Sequence, residues 1–173
     1  MTFQIFKNRL IAVVICVFTI MSIHAQESKM NELIGQSVAK VTNPTPDALL
    51  TCIAELKRID SMYPDSIQPK YQMALQSLNY CVMNPQAKQT ESLLTETQQT
   101  IDKMQELKNV DMSDVYALQG FLYMDRIVQN PAVNGQRYYL QVMENYEKAL
   151  KLNPNNALAK DLQQRFLEEM KKR

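Results

Sequence analysis

Apolar residues recur at three- and four-residue intervals along most of the chain, and the runs they form end at proline or asparagine. In residues 145–160, NYEKALKLNPNNALAK, Tyr146, Ala149, Leu150 and Leu152 have the spacing of one helix face. Glu144/Lys148 and Glu147/Lys151 stand four apart on the wet side, in the favourable order for helical ion pairs. Pro154 cannot continue a helix and drives Asn153 out of helical geometry. Asn155 or Asn156 is then placed to cap a second helix by accepting from its free N–H groups. Ala157, Leu158, Leu162, Phe166, Leu167 and Met170 form that helix's apolar stripe. The segment therefore predicts a tight turn between antiparallel helices.

The same grammar runs upstream. A short first helix is expected over about 28–40. Thr45-Pro46 reads as a cap followed by proline at the first helical position, opening a helix to about Met62 with Leu49, Ile53, Leu56 and Ile59 inside. The tetrapeptide YPDS stops it. A helix over about 68–83 carries Tyr71, Ala74, Leu75, Leu78 and Val82. Asn84-Pro85 repeats the cap-and-proline signal and predicts a longer helix to about Lys108, with Leu94, Ile101, Met104 and Leu107 inside. Ser113 is read as the cap of a helix over about 114–128, which is apolar nearly all round. NPAVNG is read as a break, with helix resuming over 136–152. About seven helices result, and no segment alternates as a half-buried strand does.

Composition agrees with this pattern. The chain has 173 residues, 46% hydrophobic and 21% charged, with three glycines and no tryptophan. That is one domain's worth of chain, rich in good helix formers. Residues 1–25 read as a secretory signal: Lys7 and Arg9, then the uncharged run LIAVVICVFTIMSI, then Ala25 before the expected cleavage point. The run is short for a membrane span, which needs about 20 residues. Cys16 lies inside the run, unlike a lipid-attachment cysteine. The expected mature domain is 26–173. Without Lys7 and Arg9 it holds 17 basic and 18 acidic residues, a net charge of −1. Near neutrality leaves no electrostatic footprint for nucleic acid or for an anionic membrane. The basic end at 171–173 follows Glu168 and Glu169 and reads as the favourable finish of a helix.

These helices resemble the tetratricopeptide repeat, a pair of antiparallel helices of about 34 residues per unit. The likeness is strongest over 116–166. Tyr116, Gly120 and Tyr123 stand at the offsets of the repeat's first helix, with Gln119 where leucine is usual. Val142, Tyr146, Ala149 and Pro154 match the second helix. The two halves are about ten residues too far apart for the repeat, and the excess at 130–139 is read as a lengthened loop. A fainter copy runs through Cys52, Leu56, Ile59, Pro64, Tyr71, Ala74 and Leu78. The resemblance implies an all-α superhelix and a concave groove. Groove-facing positions would be Gln72, Gln76, Asn79 and Tyr80 on one helix and Ala117, Phe121, Met124 and Asp125 on another. Amides and aromatics there would suit an extended peptide or a partner helix.

Signals for chemistry are few. The expected mature chain has no histidine, which removes His-based triads and the usual zinc sites. It has no Gly-rich phosphate loop and no nucleophile elbow. No cofactor or metal is expected. Asp111/Asp114, Asp60/Asp65 and Glu168/Glu169 read as caps, turns or solvated faces. Cys52 and Cys81 fall at similar height on either side of the YPDS turn, so they are either a disulfide of an exported protein or two small buried residues. Met73, Met104 and Met143 fall at core spacing. Arg137, Tyr138 and Tyr139, beside the expected loop, form a second contact candidate. Asp65-Ser66-Ile67 and Asp60-Ser61-Met62 resemble a three-residue O-glycosylation signal of exported bacterial proteins, with Ser66 the better placed.

The expectation is thus a periplasmic or secreted, non-enzymatic module that binds a protein or peptide partner, or itself. The alternatives are a constitutive subunit of a larger envelope complex and, last, a carboxylate-dependent enzyme.

Overall fold

The computed structural model describes residues 26–171, so the expected signal segment and the last two residues lie outside it. Seven helices fill the described residues, with no strand among them. They are α1 (26–39), α2 (Pro46–Met62), α3 (Ile67–Met83), α4 (Thr90–Glu106), α5 (Met112–Gln129), α6 (Pro131–Leu152) and α7 (Ala157–Lys171). The all-α expectation holds.

Local chemistry sets the helix ends. Thr45 caps α2, its hydroxyl accepting from the Ala48 N–H at 3.2 Å, with Pro46 in the first turn. Asn156 caps α7, its side-chain oxygen accepting from the Ala159 N–H at 3.0 Å. Three expected boundaries move. The first is Asn84-Pro85, which does not open α4. Asn84 instead closes α3, its amide Nδ2 donating to the Tyr80 carbonyl at 3.0 Å, and two successive turns lead to a start at Thr90. Thr90 is buried and donates its hydroxyl back to the Asn84 carbonyl at 2.5 Å. Asp111, not Ser113, caps α5 by accepting from the Ser113 N–H at 2.8 Å. Ser113 sinks fully into the protein, where its hydroxyl donates to the Ala149 carbonyl at 2.9 Å.

The third correction is the largest. Residues 130–139 are not a loop. Asn130 alone joins α5 to α6: its side chain accepts from the Val133 N–H at 3.3 Å, and Pro131 occupies the first helical turn. The same cap-and-proline signal that opens α2 therefore opens α6, and Gly135 lies within a helix instead of a turn. The extra residues become helix, which makes α6 the longest at 22 residues.

Two apolar clusters form the core. The smaller joins α1 to α2 through Met30, Ile34, Cys52, Leu56 and Ile59. The larger runs from Leu49 and Ile53 through α3, α4, α5 and α6 to Leu162 and Phe166 of α7. Burying each such side chain contributes about 1.5–3 kcal/mol. Met104 is fully buried, and Met73 and Met143 pack half-buried against the clusters. From α2 onward each helix packs on the next, α3 also touches α5, and α5 also touches α7. Among the described residues, α2 does not reach the backbone of α4, nor α4 that of α6.

Helix α5 is buried on every side. Gln119 faces α4, where it exchanges two hydrogen bonds of 2.9 Å with Gln98. On its other side α5 approaches α6 closely at Gly120. A Cβ built there would lie 2.6 Å from Cε1 of Tyr146, whose ring is fully buried. Tyr123 stacks on Tyr138 with centroids 5.3 Å apart, and Tyr139 meets Phe166. Both tyrosines therefore close the α5–α6–α7 core.

These two glycine environments have opposite consequences. Gly120→Ala drives a methyl group into a rigid ring and should cost about 1–3 kcal/mol. Nothing lies within 4 Å of a Cβ at Gly135. Gly135→Ala should therefore stabilise by about 0.5–1 kcal/mol through helix propensity. Urea denaturation of both variants reads the two signs; destabilisation by Gly135→Ala would mean that 131–139 is not helical in solution.

Candidate functional site

The α2–α3 turn is built first from backbone closure. Tyr63 ends α2 with its N–H on the Ile59 and Asp60 carbonyls, and the Ser66 N–H returns to the Tyr63 carbonyl at 3.0 Å. Lys70 staples the turn from beneath. Its buried ammonium pairs with Asp60 at 2.7 Å and donates to the Pro64 and Ser66 carbonyls. The α4–α5 connection needs a left-handed residue, and Asn109 supplies it with φ of 62°. Asparagine tolerates that region better than other side chains with a Cβ.

Between these two connections and the first turn of α1 lies an open cleft of about 550 Å³. Tyr63, Tyr71, Met30, Met62 and Met104 give it apolar walls. Glu27, Asp65, Asp111 and Asp114 give it carboxylates, and among the described residues no lysine or arginine lines it. None of the four enters an ion pair among the described residues. Asp114 accepts from the Asn156 amide at 2.9 Å. Burial, with Asp111 alongside, still pushes its carboxyl above the usual range. Burial and the same two aspartates push the Tyr71 hydroxyl up to about 12.

The eight groove positions inferred from the repeat lie elsewhere. Gln76 and Tyr80 of α3 and Ala117, Phe121 and Asp125 of α5 are buried; Gln72, Asn79 and Met124 are half-buried. None of the eight lines the cleft. Helices α3 and α5 pack together. The space opens only at their first turns, through Ile67, Gln68 and Tyr71 of α3 and Asp114 of α5. The signal available in the sequence was the density of aspartates and tyrosines around the two turns, which reads locally as capping and turn chemistry.

Asp125 is the most unusual of the eight. It is 1% exposed and neither carboxylate oxygen has a hydrogen-bond partner. Burial pushes its carboxyl well above the usual range. Asp125 in turn adds to the effect of burial at Tyr146, and at Cys81, whose thiol is pushed up to about 12. Cys52 and Cys81 are both free and buried, one in each core cluster, so no disulfide joins α2 to α3. Cys81 donates to the Thr90 carbonyl at 3.7 Å. Ser66 is half-buried on the cleft wall as the cap position of α3, yet its side chain makes no capping bond. Ser61 lies within α2, donating to the Lys57 carbonyl. Arg137 stacks over Tyr138 at 5.0 Å.

Among the described residues no helix is long and apolar enough to cross a membrane, and no group of three or more His, Cys, Asp or Glu residues is gathered to hold a metal ion. No family model, curated protein or solved structure matches the chain.

The buried acid has a pH signature. The folded chain holds the Asp125 proton to higher pH than the unfolded chain, whose carboxylates titrate near ~4. Its contribution is complete below that value and is lost as pH rises through the folded one. Asp125→Asn removes the ionisation while keeping the shape. Its urea midpoint should gain on the parent's between about pH 4 and pH 8; a gap that stays constant would show that Asp125 ionises freely.

Proposed function

We propose that the chain is an exported docking module of the tetratricopeptide type, periplasmic or secreted, that binds an extended segment of a partner protein. The observation that carries this reading is the open cleft between the first turns of α1, α3 and α5. Its size falls within the range of ligand-holding clefts, about 300–1,000 Å³. Its walls mix tyrosine and methionine, side chains that offer large adaptable contact area. The packing supports a superhelix: odd helices from α3 onward pack closely on one another, whereas α2 and α4 stand apart and are bridged by the Lys57–Glu96 ion pair. Such one-sided contact curves a stack of helix pairs and leaves a concave side.

A second reading, a constitutive subunit of an envelope complex, is favoured by the outer face of α6. Val133 and Leu140 lie seven residues apart there, 63% and 65% exposed.

A photo-crosslinking residue placed at Met62, on the cleft wall and 59% exposed, or at Leu140 separates the two. The docking reading expects a discrete partner from Met62. The purified partner should then bind the parent chain and lose at least ten-fold affinity to Met62→Arg or Gln68→Arg, with Leu140→Arg unaffected. Crosslinks confined to Leu140, in a complex of fixed stoichiometry, would reverse the assignment.

A further inference from the structure

The docking reading leaves the chemistry of the partner open, and the cleft narrows it. We propose that the occupant is a peptide segment bearing lysine or arginine next to apolar residues, with the cation held by the Asp111–Asp114 side of the cleft. The inference rests on the docking reading above.

Charge complementarity carries the choice. Glu27, Asp65, Asp111 and Asp114 share one cleft with, among the described residues, no basic residue on its wall. Lys70, next in sequence to Tyr71, is buried against Asp60 and two turn carbonyls and is not free to neutralise them. Asp111 and Asp114 stand on one edge of the cleft, at the cap and first turn of α5, and Tyr71 of α3 lies close enough to feel both. A carboxylate pair beside a tyrosine suits an ammonium or guanidinium group, through charge-assisted hydrogen bonds and the ring face.

The carboxylates are not gathered into a metal-ligating group among the described residues, so an organic cation fits better than an ion. Met62, Tyr63 and Tyr71 on the wall select a peptide over a free polyamine, because their remaining exposed surface needs apolar side chains to cover it. Met62, largely exposed on this wall, is the clearest case.

The test uses the purified protein carrying ¹³C-methyl methionine. Met30, Met62 and Met104 report from the cleft, and Met83, Met124 and Met143 from outside it. Four probes are titrated: a blocked hexapeptide alternating lysine and leucine, its glutamine and glutamate counterparts, and spermidine. The lysine peptide should shift the three cleft methyls and leave the others in place, and should weaken as salt rises from 50 to 300 mM. The glutamate peptide should not bind. Asp111→Asn with Asp114→Asn should cost at least ten-fold in affinity. These substitutions keep the oxygens that accept from the Ser113 N–H and from Asn156. Should the pair lower stability, Asp65→Lys on the exposed turn supplies the same charge test.

Equal binding of the glutamine peptide at the same methyls would overturn the cationic assignment and leave the docking cleft intact. Spermidine binding as tightly as the lysine peptide would overturn the choice of a peptide. Self-association that the lysine peptide dissolves would put a second copy in the cleft and overturn a separate partner. If no probe moves the three methyls the inference fails outright, while the Met62 crosslink still decides the docking reading on its own.

Discussion

The ring of Tyr146 occupies the space that a side chain at position 120 would need. That single exchange lets α5 and α6 pack at backbone distance, and both helices depend on it. Once α6 is this close, Ser113 at the start of α5 reaches the Ala149 carbonyl, and Asn156 at the start of α7 reaches both Ser113 and Asp114 at 2.9 Å. The ends of three helices are thus tied by a few buried hydrogen bonds. Such bonds contribute about 1 kcal/mol each when made and cost more when one partner is removed. The close approach and the polar knot support each other. Neither forms unless the other holds α6 in register.

Within this frame the burial of Asp125 is an exception. Most buried polar groups here have partners: Lys70 has Asp60, Gln119 has Gln98, and Ser113 has Ala149 and Asn156. Asp125 has none. The cheapest state for such a group is the neutral acid, which avoids the larger penalty of a buried charge. Tyr146 and Cys81 nearby are likewise held neutral by burial. Burial thus holds the ionisable groups in this part of α3, α5 and α6 neutral.

Periodicity carried most of the fold. The stripes of α2, α3 and α5 appear in the core as spaced, because burying an apolar face leaves little choice of phase; in α7 Leu162 and Phe166 are buried as expected, but Ala159 and not Ala157 joins them. Gly120 and Tyr146 were legible as repeat positions on two successive helices, and the structure adds that the ring of one fills the space left by the other. Boundaries were less legible, and for a physical reason. Asn-Pro is ambiguous: Asn130-Pro131 opens a helix, whereas Asn84 closes one and leaves Pro85 in a turn. Both asparagines end the preceding helix with their backbone N–H; what differs is that the Asn130 side chain caps the next helix while the Asn84 side chain turns back to the Tyr80 carbonyl. Ser113 shows the same limit. Its cap propensity is real, but burial against α6 supplies a better partner, and Asp111 takes the cap. Pattern assigns a face to each residue and not the distance between faces, so the eight positions inferred from the repeat did not locate the cleft.

The placement of the cleft follows from antiparallel connection. Successive helices reverse direction, so α3 and α5 begin at the same end of the molecule, where the space opens. Helix starts favour carboxylates, because free N–H groups and the helix dipole stabilise negative charge there. Asp111 and Asp114 satisfy that rule for α5, and Asp65 lies beside the start of α3. Folding alone would thus gather acids at this end, and the dipoles would partly offset them. The offset is incomplete. Two helix starts amount to about one positive charge between them, against four carboxylates on the cleft wall. The remainder is negative and faces solvent across an apolar floor. A cation entering there meets residues already placed by the demands of the helices, so recognition would ask for no rearrangement of the fold.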